Sequence, residues 1–215
     1  RCESGDFIHV TEGEYVGKLR IGTWKVDTAF ISLIGGYDKE FKERNPWTHP
    51  TLLYCPEDFK GRRGGYTIDG TGSSTTVDAC TFSGNVVSGI NANVASSGAF
   101  YTQNGNTTFT DSTFDANDSP GVAGGIFVST PGTLPITNCT LQGNHSDGLG
   151  GALFISSGGA TITNVTIAGN SSNLFAAGIF RGSGTVTLKN TLLQNNTATD
   201  PWNGWAVNTM LTDGG

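Results

Sequence analysis

An apolar residue, two small or polar residues and an asparagine recur along the C-terminal two thirds of this chain. The tag reads FSGN at 82–85, FDAN at 114–117, LQGN at 141–144, IAGN at 167–170 and LQNN at 193–196. Its asparagines therefore step by 32, 27, 26 and 26 residues. A second tag, a small-residue pair followed by apolar residues, keeps the same spacing: SGAF from Ser97, GGIF from Gly124, GGAL from Gly150 and AGIF from Ala177. A fixed period of this size means a stacked architecture, in which each repeat is one coil and buries its apolar side only against its neighbours.

Aligning the repeats on the asparagine gives columns of like residues. Val77, Phe109, Ile136, Ile162 and Leu188 form one apolar column, and Phe82, Phe114, Leu141, Ile167 and Leu193 another. Asp111, Asn138, Asn164 and Asn190 share a polar turn position, with Ala79 as the exception, and Thr81, Thr113, Thr140 and Thr166 share an outward one. Period-two alternation, β-branched and aromatic residues, and turns of Gly, Asn and Asp indicate strands. About 26 residues hold roughly three short strands, which stack into parallel sheets at about 4.8 Å per coil. The asparagines then form a ladder in which each amide donates to the next coil, with Asn117, Asn144, Asn170 and Asn196 as its continuous part.

The chain reads as one domain over 1–215: irregular first coils with loop excursions over 1–65, regular coils over 66–215. Roughly eight coils are expected, and both chain ends read as cut from something longer. Segments 5–21, 29–38 and 51–54 read as strands, and the charged stretches 39–50 and 57–65 as excursions. Hydrophobic content is only 36%, which suits the thin core of a solenoid better than a round one. No apolar run is long enough for a membrane span. Ten of the 12 Lys and Arg lie at or before Arg63, so the repeats carry two cations against eight acids. Nucleic acid, which needs clustered cations, is not an expected partner. Cys80 and Cys139 fall in one column two coils apart, about 9–10 Å. That is beyond the roughly 7 Å a disulfide can span, so they are expected as buried thiols. Cys2 and Cys55 lie in the irregular part, and whether they pair is left open.

The pattern D-x-I-x-V-x-x-G-x-Y from Asp6 to Tyr15, with IGGYD and NPWTHPTLL after it, resembles the first coils of bacterial surface right-handed parallel β-helix proteins. These belong to the pectate-lyase-like superfold. The FxxN and GG-apolar tags resemble the repeats of polymorphic outer-membrane proteins, which are autotransported adhesins. The resemblance covers nearly the whole chain and implies an all-β, right-handed parallel β-helix. It says less about function, because the superfold hosts lyases, hydrolases, adhesins and fibres.

A pectate-lyase-type site would need calcium-binding acids beside a basic residue, in that family an Arg. The repeats offer only Arg181 and Lys189. Asp111, Asp115 and Asp118 form a weak calcium candidate, read first as turn residues; no other cofactor is expected. A polygalacturonase-type site would need several Asp on one sheet, and the family's NTD, GHG and RIK-type tags are absent. His145 reads as a lone loop residue, and three dispersed histidines suggest no Ser-His-Asp arrangement.

The second tag suggests a contact surface. Aligned on Gly98, Gly125, Gly151 and Gly178, it places Phe100, Phe127, Leu153 and Phe180 inside. Tyr101, Val128, Phe154 and Arg181 then face outward, with Ile126 and Ile179 beside them. Such an apolar-aromatic strip suits sugar rings or another protein, unless an N-terminal excursion covers it. The chain is therefore expected to be a non-catalytic adhesive or structural module, extracellular or on a cell surface. It would bind a polysaccharide or a surface protein through a flat face. The alternatives are a polysaccharide lyase or glycoside hydrolase, and a fibre subunit that self-associates end to end or face to face.

Overall fold

The computed structural model describes the backbone of residues 7–11, 13–16, 20–21, 30–44, 51–54, 66–69, 74–87, 95–199 and 212–213, and the side chains of 37–44, 74–87 and 95–199. The chain is an all-β parallel solenoid of about four turns, with no helix among the described residues. One turn runs through Asn106–Thr110, Thr113–Asp115, Asp118–Ser119 and the start of Ile126–Thr137. These belong in order to a 12-stranded sheet, a 7-stranded sheet, a 4-stranded sheet, and the 12-stranded sheet again. Every strand pairing is parallel, as it must be when each turn repeats the path of the last. The strands expected at the start of the chain are present as Phe7–Thr11, Gly13–Val16, Phe30–Tyr37 and Thr51–Tyr54. Residues 38–43 form turns beyond Tyr37; the excursion at 57–65, Cys2 and Cys55 lie outside the described residues.

The columns fall in register. Val77 pairs with Phe109, Phe109 with Ile136, Ile136 with Ile162 and Ile162 with Leu188. Phe82, Phe114, Leu141, Ile167 and Leu193 pair likewise. Both columns point inward, and their members from Val77 to Ile167 are fully buried in one continuous core. Phe82 and Phe114 stack with ring centroids 4.8 Å apart, and Phe100 meets Phe82 edge-on. The core is thus a column of side chains each touching its own kind in the next coil, which brings aromatic rings to favourable offsets.

At the corner beside this core runs the asparagine ladder. Asn85, Asn117, Asn144, Asn170 and Asn196 are buried, and each passes a side-chain hydrogen bond to the next at 2.7, 2.8, 2.9 and 2.8 Å. The same acceptor oxygens also take a backbone N–H from the preceding ladder residue. The second amide hydrogen of Asn117, Asn144, Asn170 and Asn196 goes to a main-chain carbonyl of the previous coil, Phe82, Phe114, Leu141 or Ile167. An amide has two donors and two acceptor sites, and at Asn117, Asn144 and Asn170 all four are used. Buried polar groups would otherwise cost stability at every turn.

A second ladder runs on the outside. Asp111, Asn138, Asn164 and Asn190 all have positive φ, between 46° and 55°. Asn138 donates to Asp111, Asn164 to Asn138 and Asn190 to Asn164. Asn and Asp tolerate this left-handed geometry better than most residues, and Ala79 adopts it at φ 52° without the ladder bond. The small-residue tag has another cause. A Cβ on Gly98, Gly124 or Gly151 would run into the backbone of Asp118, His145 or Ser171 respectively. The chain crosses the short sheet so closely there that only glycine fits.

Two tests follow from the two ladders. Asn144→Leu should destabilise by at least about 2 kcal/mol, because it strands several buried partners at once. Asn164→Gly should change stability by less than about 1 kcal/mol, since glycine accepts the backbone angle and the two ladder bonds it removes, to Asn138 and from Asn190, are both exposed. Denaturant unfolding of both variants measures the contrast.

Cys80 and Cys139 are free, buried thiols. Burial pushes the Cys139 thiol up to about 12. At neutral to mildly alkaline pH the thiol stays protonated and unreactive. Iodoacetamide should therefore leave Cys139 unmodified in the native protein and label it once denaturant is added, as read by peptide mass.

Candidate functional site

The expected aromatic strip exists, but with different members and a different exposure. Phe100 pairs with Ile126, Ile126 with Leu153 and Leu153 with Ile179. The small pairs that correspond are therefore Gly98-Ala99, Gly124-Gly125, Gly151-Ala152 and Ala177-Gly178. Aligning on Gly125 and Gly178 shifts two of the four coils by one residue, and a one-residue slip swaps the faces of a strand. The expected exposure of Ile126, Val128 and Ile179 is corrected: all three are fully buried in the main core. Arg181 pairs with Ile155, which puts it at the end of the inward file that Val128 and Ile155 occupy. Its guanidinium donates to the carbonyl of Gly184.

The outward file is aromatic in all four coils. Tyr101, Phe127, Phe154 and Phe180 stack with centroids 4.4, 5.3 and 4.9 Å apart and ring planes within 8° of parallel. It is not an open strip. Val122, Ala123 and Leu149, from the loops that enter the small-residue tags, pack over it as a second cluster. Tyr101 and Phe127 are each only 3% exposed, while Phe154 and Phe180 are half-buried. Tyr101→Ala and Phe127→Ala should each destabilise by about 3 kcal/mol, as truncations of buried rings do. Thermal or denaturant melts would show it; melts like the wild type would mean that the loops do not cover the rings.

The calcium candidate does not assemble. Asp111 lies on the outer corner, Asp115 faces outward from the 7-stranded sheet and Asp118 outward from the short one. Outward side chains on successive sheets diverge around each corner. Asp111 accepts from Asn138 at 3.1 Å, and Asp115 accepts from Gln142 and Ser83. No group of three potential metal ligands occurs among the described residues.

His145 is not a lone loop residue. It opens the two-residue strand His145–Ser146 of the short sheet, between Asp118 on one side and Ser171 on the other. Its Nδ1 lies 2.8 Å from the Ser171 hydroxyl and its Nε2 3.3 Å from Asp147 Oδ1. The Asn173 amide donates to the same Asp147 oxygen at 2.7 Å. The imidazole and Asp147 remain about one third to one half exposed. The Asp118 carboxyl is pushed above its usual range by burial, which the neighbouring His145 opposes and Asp147 reinforces. A hydroxyl, an imidazole and a carboxylate thus stand in hydrogen-bonded sequence on a half-exposed surface. The signal was in the alignment: Asp118, His145 and Ser171 each directly follow a ladder asparagine, so they must stack.

Among the described residues, one broad face carries no such apolar cluster. On the 12-stranded sheet, Asp78, Thr110, Thr137, Thr163 and Lys189 pair in one outward file. Beside it Thr76 pairs with Thr108, Pro135 with Thr161, and Thr161 with Thr187. Thr81, Thr113, Thr140 and Thr166 continue the pattern on the 7-stranded sheet. Threonine suits any half-solvated strand, so its abundance alone argues nothing. The absence of charge does: between Asp78, which Arg44 pairs, and Lys189, both files of the long sheet are neutral. No protein-family model, curated protein or solved structure matches this chain.

Proposed function

We propose that this chain is a rigid adhesive or structural module of an extracellular or cell-surface protein. In this reading it is a right-handed parallel β-helix of roughly eight coils. Its neutral threonine face binds an extended, uncharged polysaccharide. The eight-strand path through the long sheet supports the coil number, and the strong preference of parallel crossovers supports the hand. The resemblance of the tags to polymorphic outer-membrane repeats supports the class.

The carrying observation is the in-register, uncharged file from Thr110 to Thr163. Hydroxyls and methyls recur there with every coil, at about 4.8 Å. A regular polymer of hydroxylated rings can meet such a surface repeatedly, so weak contacts sum along its length. The acidic repeat region disfavours anionic polymers.

Co-sedimentation with insoluble neutral glycans and with a polyuronate tests this. The neutral polymer should retain the protein and the polyuronate should not. Thr137→Arg, which raises a bulky charge in the centre of the face, should weaken retention by about tenfold or more. Its unfolding free energy should change by less than about 0.5 kcal/mol, as for other surface substitutions. Equal retention of Thr137→Arg and wild type, or none of either, would remove the face from consideration.

A further inference from the structure

We propose that Ser171, His145 and Asp147 form a nucleophilic relay that accepts the acyl group of an activated ester. The geometry is that of an activated hydroxyl: nucleophile beside base, base beside a carboxylate that orients it. One neutral tautomer satisfies both ring contacts. With its hydrogen on Nε2, His145 donates to Asp147 Oδ1 and offers its Nδ1 lone pair to the Ser171 hydroxyl. Which ring nitrogen faces the nucleophile does not matter to the chemistry, because relays are recognised by geometry and roles.

Each member is held by the solenoid. Ser171 and His145 are in-register neighbours, and Ser171 N donates to the carbonyl of Asn144, the ladder residue just before the histidine. Asp147 is fixed from two sides, by its own N–H to the carbonyl of Ser119 and by the Asn173 amide to its carboxylate. Asp118, on the neighbouring strand, adds a second carboxyl beside the imidazole. Two acids beside the ring favour the imidazolium that forms when the serine gives up its proton.

Ser171 Oγ attacks the ester carbonyl carbon while its proton moves to His145 Nδ1. The carbonyl re-forms, the bond to the leaving oxygen breaks, and that oxygen takes the proton from the imidazolium. Water then attacks the acyl-serine with His145 as base, giving a carboxylic acid and free Ser171. The backbone N–H of Ser171 is already committed to the ladder. The donors left for the developing oxyanion are therefore side chains: the hydroxyl of Thr197, its in-register neighbour, and the amide hydrogen of Asn173 that Asp147 does not take. These are modest stabilisers, so the substrate class is an ester with a good leaving group, such as an aryl ester, and not an amide.

The test uses p-nitrophenyl acetate and, separately, a fluorophosphonate probe that transfers its phosphonyl group to activated serines with loss of fluoride. The wild type should release nitrophenol above the buffer rate and carry the phosphonyl label on Ser171 by peptide mapping. Ser171→Ala and His145→Gln should each lower the rate by about tenfold or more, with circular dichroism like the wild type. A rate kept in Ser171→Ala but lost in His145→Gln would mean that a bare imidazole does the work, and would overturn the relay. So would the absence of label on Ser171 in the folded wild type, a result that needs no variant to fold.

Discussion

The buried asparagine ladder is the interaction on which the rest of the solenoid depends. Each rung ties a side chain and a main-chain N–H to the coil ahead, and its second hydrogen to the coil behind. Such a site is satisfied only if the next coil presents an asparagine at the same place. That requirement fixes register more sharply than apolar packing, because sliding a column of Phe, Leu and Ile costs less than stranding a buried amide. The apolar columns fill the interior, and the amide ladder decides which residue meets which.

Much of this was legible in the sequence. The ladder, both apolar columns, the outer asparagine corner and the buried thiols follow from one alignment on the asparagines. The second tag misled, because its two small positions are interchangeable in appearance. Gly98-Ala99 and Gly124-Gly125 look alike, yet choosing the wrong glycine moves every following residue to the opposite face. Tyr101, Phe127, Phe154 and Phe180 were therefore split between two faces although they stack as one file. The surroundings of His145 were missed for another reason. Its partner Ser171 is 26 residues away, and only the register joins them.

The two outer faces show how one period serves two ends. Where the loops before the small-residue tags carry Val122, Ala123 and Leu149, the outward aromatic file becomes a second core. Where the chain instead turns through single left-handed residues such as Asn138 and Asn164, the corner itself carries no loop, and the outward pairs on the long sheet from Thr110 to Thr163 are neutral. The residues that the loops carry at each corner thus decide where a second apolar cluster forms outside the coil.

The ladder also has a direction. From Asn85 to Asn196 every side-chain N–H between rungs points toward the later coil, and every accepting oxygen faces the earlier one. Amide dipoles aligned in this way add, much as peptide dipoles do along an α-helix. The rod is therefore polar along its axis, with its two senses chemically distinct. A further turn can extend it only by presenting an oxygen on one side or an amide hydrogen on the other, so growth of the solenoid, by gene duplication or by added coils, runs head to tail.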